Sequence, residues 1–206
     1  ETAAPAEINK DGVKKGVVKV GWSWENRFVL PFVGKAQLQK RLTEMLTYPG
    51  YKASQCLVQE WVDFDFEMRL YFLPPAEWPF TATLEPVRIE CNEWGEREDS
   101  EVMGQSRASF RKLSKASCLA RWDNDEAAWE HARVQAIEVS QFLLAWLLTL
   151  NVKPVGMIRL DFMLLRLGPG KTRVVFGEYC ETGACSLGWT DGPPTIWRAV
   201  LDSVLR

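Results

Sequence analysis

The sequence predicts an α+β protein built on antiparallel sheets, and three observations carry that expectation. Strand-like runs come in neighbouring pairs, in the order β-β-α-β-β, an irregular region, a helix, β-β and a last helix. The stretch IRLDFMLLRLGPGKTRVVFGEYC from Ile158 reads as a hairpin, two apolar runs joined by the turn LGPGK. The 206 residues are 47% hydrophobic with ten Trp, enough to bury a core and too apolar for a disordered chain.

Residues 1–15 begin polar and Pro/Ala-rich and are expected to be a disordered lead-in. GVVKVGWSW from Gly16 reads as a strand with Lys19 among β-branched residues. RFVLPFV from Arg27 reads as its partner, broken by Pro31. KAQLQKRLTEML from Lys35 has helical spacing at positions 38, 42, 45 and 46. CLVQEWV and FEMRLYFL follow as strand-like runs with a short loop between them. From Pro74 to about Trp122 the chain reads as irregular, with a candidate strand in ATLEPVRIE and a solvated acidic loop in NEWGEREDSE. Asn124 is the expected N-cap of a long helix ending near Asn151, with Asp125 and Glu126 favourable against its dipole. After the hairpin, TGACSLGWTDGPP reads as loop and TIWRAVLDSVL from Thr195 as a closing helix.

The net charge of −2 and the scattered basic residues argue against nucleic acid and against an anionic membrane surface as partners. The longest apolar run, FLLAWLLTL from Phe142, falls short of the ~18 residues that span a bilayer. The first residue is Glu and no signal-peptide pattern follows, so the chain is expected to be a fragment. Five cysteines without CxxC spacing read as free thiols of a reducing, cytoplasmic compartment. The single histidine, His131, makes Ser-His-Asp or Cys-His catalysis improbable and reads as a surface residue of the long helix.

Three constellations carry chemistry. Lys19 inside VVKV is expensive to bury unless it meets an anion, and phosphate fits, although a strand-edge lysine also snorkels to water. In VQEWVDFDFEMRLYF from Val58, the Glu60-Trp61-Val62 backbone can offer a carbonyl and an amide to an adenine edge. Glu67 can take ribose hydroxyls, or both glutamates can be surface residues of a hairpin. Asp161 and Glu178 at neighbouring strand ends are hard oxygen donors suited to magnesium. Arg159, two residues earlier on the same face as Asp161, can clamp a reacting phosphate or simply pair with a carboxylate at a sheet edge.

In that order, VVKV, VQEWV, Glu67, IRLDF and FGEYC resemble the ATP-grasp fold family, over nearly the whole chain from Gly16. The Glu60-to-Glu67 spacing and the RLDF string are similar to D-alanine–D-alanine ligases. KVGWS and EWVDFDFEMRLYF are similar to strings of the cell division cycle protein 123 family. The resemblance implies two lobes with a nucleotide cleft between them: a front lobe over 16–74 with the phosphate lysine and hinge, and a back lobe over 75–206 with the metal hairpin. It implies ATP and Mg²⁺ as cofactors. Nucleotide contacts would come from Lys19, Trp22, Ser23, Gln59, Glu60, Trp61, Val62, Glu67 and Arg69. Asp161 and Glu178 would be the metal ligands and Arg159 the catalytic residue.

It further implies an ATP-dependent carboxylate–amine or carboxylate–thiol ligase if the domain is active, with an unknown carboxylate substrate. The alternatives are an ATP-binding assembly or interaction module with a protein partner, and a catalytically degenerate domain. Three departures accompany the likeness. WSWENRF stands where a glycine-rich loop is expected, Cys180 stands where the metal-binding asparagine is expected, and the usual N-terminal domain is absent. A neutral thiol is a poor magnesium ligand, and Glu181 would point to the opposite face of its strand.

Overall fold

The computed structural model describes residues 14–20, 28–48, 55–73, 85–98, 107–149, 156–180 and 189–205. Within them the protein is a mixed α+β fold with two antiparallel sheets and four helices. The chain divides into two compact units, Glu1–Asp63 with Gly95–Ser109, and Phe64–Trp94 with Phe110–Arg206.

The first unit holds β1 (Lys15–Lys19), β2 (Val29–Val33), β3 (Leu57–Glu60) and α1 (Gly34–Leu46), with sheet order β2-β1-β3. Alternation turns Val18 and Val20 inward onto Leu30, Phe32 and Met45, which form the unit's core. Gly16 is required by close approach: a Cβ there would lie 2.2 Å from the Gln59 carbonyl. Strand β2 runs unbroken through Pro31, which sits opposite Val17. The expected break does not occur because β2 is an edge strand, where the missing N–H of a proline is tolerated. Strand β3 pairs with β1 and not with the FEMRLYF strand, so those two runs are not a hairpin despite the short connection.

The second unit holds most of a five-stranded sheet of β4 (Phe66–Phe72), β5 (Arg88–Glu98), β6 (Arg107–Leu113), β7 (Ile158–Gly168) and β8 (Lys171–Cys180), in the order β6-β5-β4-β7-β8. Its helices are α2 (Lys115–Arg121), α3 (Glu126–Thr149) and α4 (Gly192–Leu205). One sheet face is apolar: Phe66, Met68, Leu70 and Phe72 of β4 and Leu160, Phe162 and Leu164 of β7 are buried. They share a core with Trp122, Trp129 and the small residues Ala128, Ala132 and Ala136, whose helical spacing brings α3 close to the sheet. Each large side chain buried there contributes about 1.5–3 kcal/mol relative to exposure.

Two sequence expectations are corrected here. NEWGEREDSE does not lie wholly in a loop, because β5 extends to Glu98. Glu93 accepts from both Arg111 of β6 and Arg121 of α2, which helps to keep this polar stretch in the sheet. The N-cap of α3 is Asp125 and not Asn124. The Asp125 carboxylate accepts from the Ala128 N–H at 2.9 Å, while Asn124 takes a left-handed φ of 59° in the turn from α2. Hydrogen bonds from the Gly170 and Ala128 amides hold the Asp125 carboxyl below its usual range. Thus the hairpin tip, where Gly170 adopts φ 65°, is tied to the start of α3.

No described helix is long and apolar enough to cross a membrane. His131 is exposed on α3, with Nδ1 2.8 Å from the Thr172 hydroxyl of β8.

Asp65, just before β4, accepts from the indole N–H of buried Trp122 at 2.9 Å and from the Arg166 backbone N–H at 2.8 Å. Asp65→Ala leaves that buried indole without an acceptor. Urea unfolding should register a loss of about 1–3 kcal/mol; a value within 0.5 kcal/mol of wild type would show the two bonds to be dispensable.

Candidate functional site

The opposite face of the five-stranded sheet carries charge in the middle of a fold, and the register dictates which groups meet. Directly opposite residues of an antiparallel pair share a face. Arg69 of β4 pairs with Asp161 of β7, Asp161 pairs with Glu178 of β8, and Arg159 pairs with Cys180. On the other side of β4, Glu67 pairs with Asn92, Arg69 with Glu90 and Tyr71 with Arg88. The structure therefore brings Glu67, Arg69, Arg159, Asp161, Glu178 and Cys180 onto one face of one sheet.

Glu178 reaches that face only through a bulge. Toward the hairpin tip, Phe162 opposes Phe176 and both belong to the core side. Simple alternation would turn Glu178 to the core side with Phe176. The register shifts between Asp161 and Phe162, so that Glu178 and not Gly177 opposes Asp161. One extra residue reverses the parity of the strand end. Gly177 lies at that shift, where a Cβ would come within 3.3 Å of the Asp161 carbonyl.

Asp161 is 1% exposed and Arg159 is 5% exposed, so neither tolerates being unpaired. The Arg159 guanidinium donates to both carboxylate oxygens of Asp161, Nε to Oδ1 and Nη2 to Oδ2, each at 2.8 Å. Arg69 approaches Asp161 at 3.6 Å and donates to Glu67 at 2.5 Å. Glu67 also accepts from the Trp94 indole at 3.1 Å. Burial first, and then the nearby Asp161 charge, raises the Glu67 carboxyl above its usual range despite Arg69. Arg159 is held above its normal value: burial opposes its charge, but Asp161 outweighs that cost.

Donor atoms of Asp161, Glu178 and Cys180 lie within 4.8 Å of one another. The two carboxylates fit a hard divalent cation that keeps several waters, as magnesium does. The Cys180 thiol is a soft donor and a poor match for such a cation. It is pushed up to about 12 by burial and by the Glu178 and Asp161 charges, so it stays protonated at neutral pH, and Arg159 Nη2 lies 3.2 Å from its sulfur.

Sequence reasoning passed over the continuation of the same face on β5 and β6. Glu90 is 4% exposed and accepts from Arg88 at 2.5 Å, Lys112 at 2.7 Å and the Tyr71 hydroxyl at 3.1 Å. Its carboxyl lies below the usual range: burial pushes it up, and the Lys112 and Arg88 hydrogen bonds more than offset that. The signal was the alternation of Arg88, Glu90 and Asn92 with apolar Ile89 and Cys91. Among the described residues, the acids Glu67, Glu90, Asp161 and Glu178 thus share the face with the bases Arg69, Arg88, Lys112 and Arg159, and Arg173, opposite Leu165, continues it toward the hairpin tip.

The remaining sequence candidates belong to the first unit. Lys19 is half-buried on β1, opposite Val29 and Leu57. Gln59 and Glu60 end β3, half-buried and exposed respectively, and Val62 is buried. The Trp61 backbone N–H donates to the Lys15 carbonyl at 3.0 Å, the Lys15 ammonium lies 4.2 Å from the Trp61 ring, and the indole donates to Asp63. Trp22 and Ser23 lie outside the described residues. Neither a known family nor a curated protein matches the chain.

Two outcomes test this geometry. Arg159→Met strands a buried carboxylate and should cost about 3–5 kcal/mol, most of which Arg159→Met combined with Asp161→Leu restores in a double-mutant cycle. Gly177→Val should lower the thermal midpoint, because a Cβ there would come within 3.3 Å of the Asp161 carbonyl; an unchanged midpoint would mean that the bulge has room to relax.

Proposed function

We propose that the protein is an ATP- and magnesium-binding domain of the ATP-grasp type. The single observation that carries this reading is the buried Arg159–Asp161 pair with Glu178 directly opposite on the next strand. The proposed roles follow from charge. Asp161 and Glu178 hold the cation, which neutralises and orients phosphate oxygens when bound. Arg159 orients the Asp161 carboxylate through two hydrogen bonds and is placed beside it to pair with a transferred phosphoryl group. Arg69, shared between Glu67 and Asp161, is a second guanidinium at the same place. Lys19 is assigned to phosphate, and the Gln59–Val62 segment to adenine. Because the Trp61 N–H is already engaged by Lys15, the Val62 N–H is the hinge donor in this assignment. Trp22, Ser23 and the ribose role of Glu67 follow from the same resemblance.

The reaction this supports is carboxylate activation. A substrate carboxylate oxygen attacks the γ-phosphorus, the bond to the ADP oxygen breaks, and an amine or thiol then displaces phosphate from the acylphosphate. A second reading, nucleotide binding without turnover as part of an assembly or interaction module, is favoured by one observation: the third group beside Asp161 and Glu178 is a cysteine, a poor donor for magnesium. ATP hydrolysis measured with and without small carboxylates separates the two.

The pairing of these acids with bases sets a further condition. Magnesium alone would leave the face with excess positive charge, so it should bind together with a polyphosphate and not by itself. Thermal midpoints should therefore rise clearly with MgATP and little with magnesium alone. Asp161→Asn and Glu178→Gln should each weaken MgATP binding by roughly tenfold, the loss of one charge-assisted contact. If both variants lose the same stability with and without magnesium, the carboxylates are structural partners of the arginines and this reading fails.

A further inference from the structure

Asn92 is 7% exposed on β5, and its side-chain Nδ2 has no hydrogen-bond partner among the described residues. It is the only buried side-chain nitrogen or oxygen of which that is true there. A buried amide without an acceptor costs stability, and such an atom in a folded protein calls for a reason. The register puts Asn92 directly opposite Glu67, so amide and carboxylate stand side by side on the charged face. Asn92 cannot replace the missing metal-binding asparagine, because β5 lies three strands from β8, about 14 Å at the usual strand spacing.

The neighbours of Asn92 narrow the ligand chemistry. Glu67 uses one oxygen on Arg69 and the other on the Trp94 indole, and an ionised carboxylate has roughly four lone-pair sites, so it can accept further hydroxyl hydrogens. Trp94 and Phe110 form an edge-to-face pair at 4.8 Å, are 39% and 44% exposed, and give the same end of the face an apolar wall. An acceptor beside an unused donor complements a group that both donates and accepts at adjacent atoms. A vicinal diol does so.

We propose that Asn92 and Glu67 together read the ribose diol of the bound nucleotide, Glu67 accepting from the hydroxyls and the Asn92 amide donating to a hydroxyl oxygen. The inference rests on the ATP-binding reading above and adds a specificity-determining residue to it. The orphan donor is the stability cost of a contact made only when ligand is present.

The full chain, with Asn92→Ala and Asn92→Leu, tests this by calorimetry with magnesium and four probes: ATP, 2′-deoxy-ATP, 3′-deoxy-ATP and inorganic tripolyphosphate. Wild type should prefer ATP over at least one deoxy form by about tenfold. Both variants should lose that preference while binding tripolyphosphate as wild type does. Without ligand, Asn92→Leu should melt at or above the wild-type midpoint, which an asparagine with a structural role would not allow. Wild-type binding of ATP with no diol preference, or a preference retained in both variants, overturns the proposal alone. Failure of wild type to bind either ATP or tripolyphosphate overturns the ATP reading and this proposal with it.

Discussion

A carboxylate in the middle of a β-sheet with almost no solvent must be matched by a cation held at hydrogen-bonding distance, and the second unit is arranged around that requirement. At Asp161 the Arg159 guanidinium meets both carboxylate oxygens, and Arg69 stands nearby. The same demand repeats outward along the face: Arg69 serves Glu67 and Asp161, and Arg88, Lys112 and Tyr71 serve Glu90. An apolar sheet face would have been simpler and, on general grounds, as stable or more so. Retaining these charged groups there is consistent with a ligand that makes use of them.

The hydrophobic half of this architecture was legible in the sequence and the electrostatic half only in part. IRLDF and FGEYC identified both strands of the hairpin, because their apolar runs and the LGPGK turn are local signals. That Arg159 and Asp161 share a face follows from period two alone. That Glu178 joins them does not, since alternation with Phe176 assigns it to the core side and the register shift reverses this. Strand β5 was hidden by its charge. A segment reading NEWGERE looks solvated until Arg111 and Arg121, 18 and 28 residues further along, are known to meet Glu93. The cap of α3 was displaced by one residue because Asn124 was needed for a left-handed turn, a backbone demand that cap preference does not register.

Where the first unit is concerned, the sequence identified its strands but not their partners. Proximity in the chain suggested that CLVQEWV and FEMRLYFL pair, whereas β3 turns back onto β1 and β4 enters the other sheet. Pairing between strands is a long-range property, and short connections are only a bias. Trp61 illustrates the difference: its backbone donor is used by Lys15, and no pattern within VQEWV reveals that.

The order of strands has a consequence for how the molecule comes into being. The central strand β4 lies between β5 and β7, and the Asp65 side chain at its start reaches the Arg166 amide 101 residues later. Until the last strands have left the ribosome, Glu67 and Arg69 have no Asp161 to share, and the charged face lacks Arg159, Asp161 and Glu178. Closing so long a loop costs conformational entropy before any long-range contact repays it, which slows assembly relative to proteins of local topology. Assembly of the face is thus a late, cooperative event. A chain lacking the last strands would expose the β7-side edge of β4 unpaired, and such a species is prone to associate with other copies before it folds.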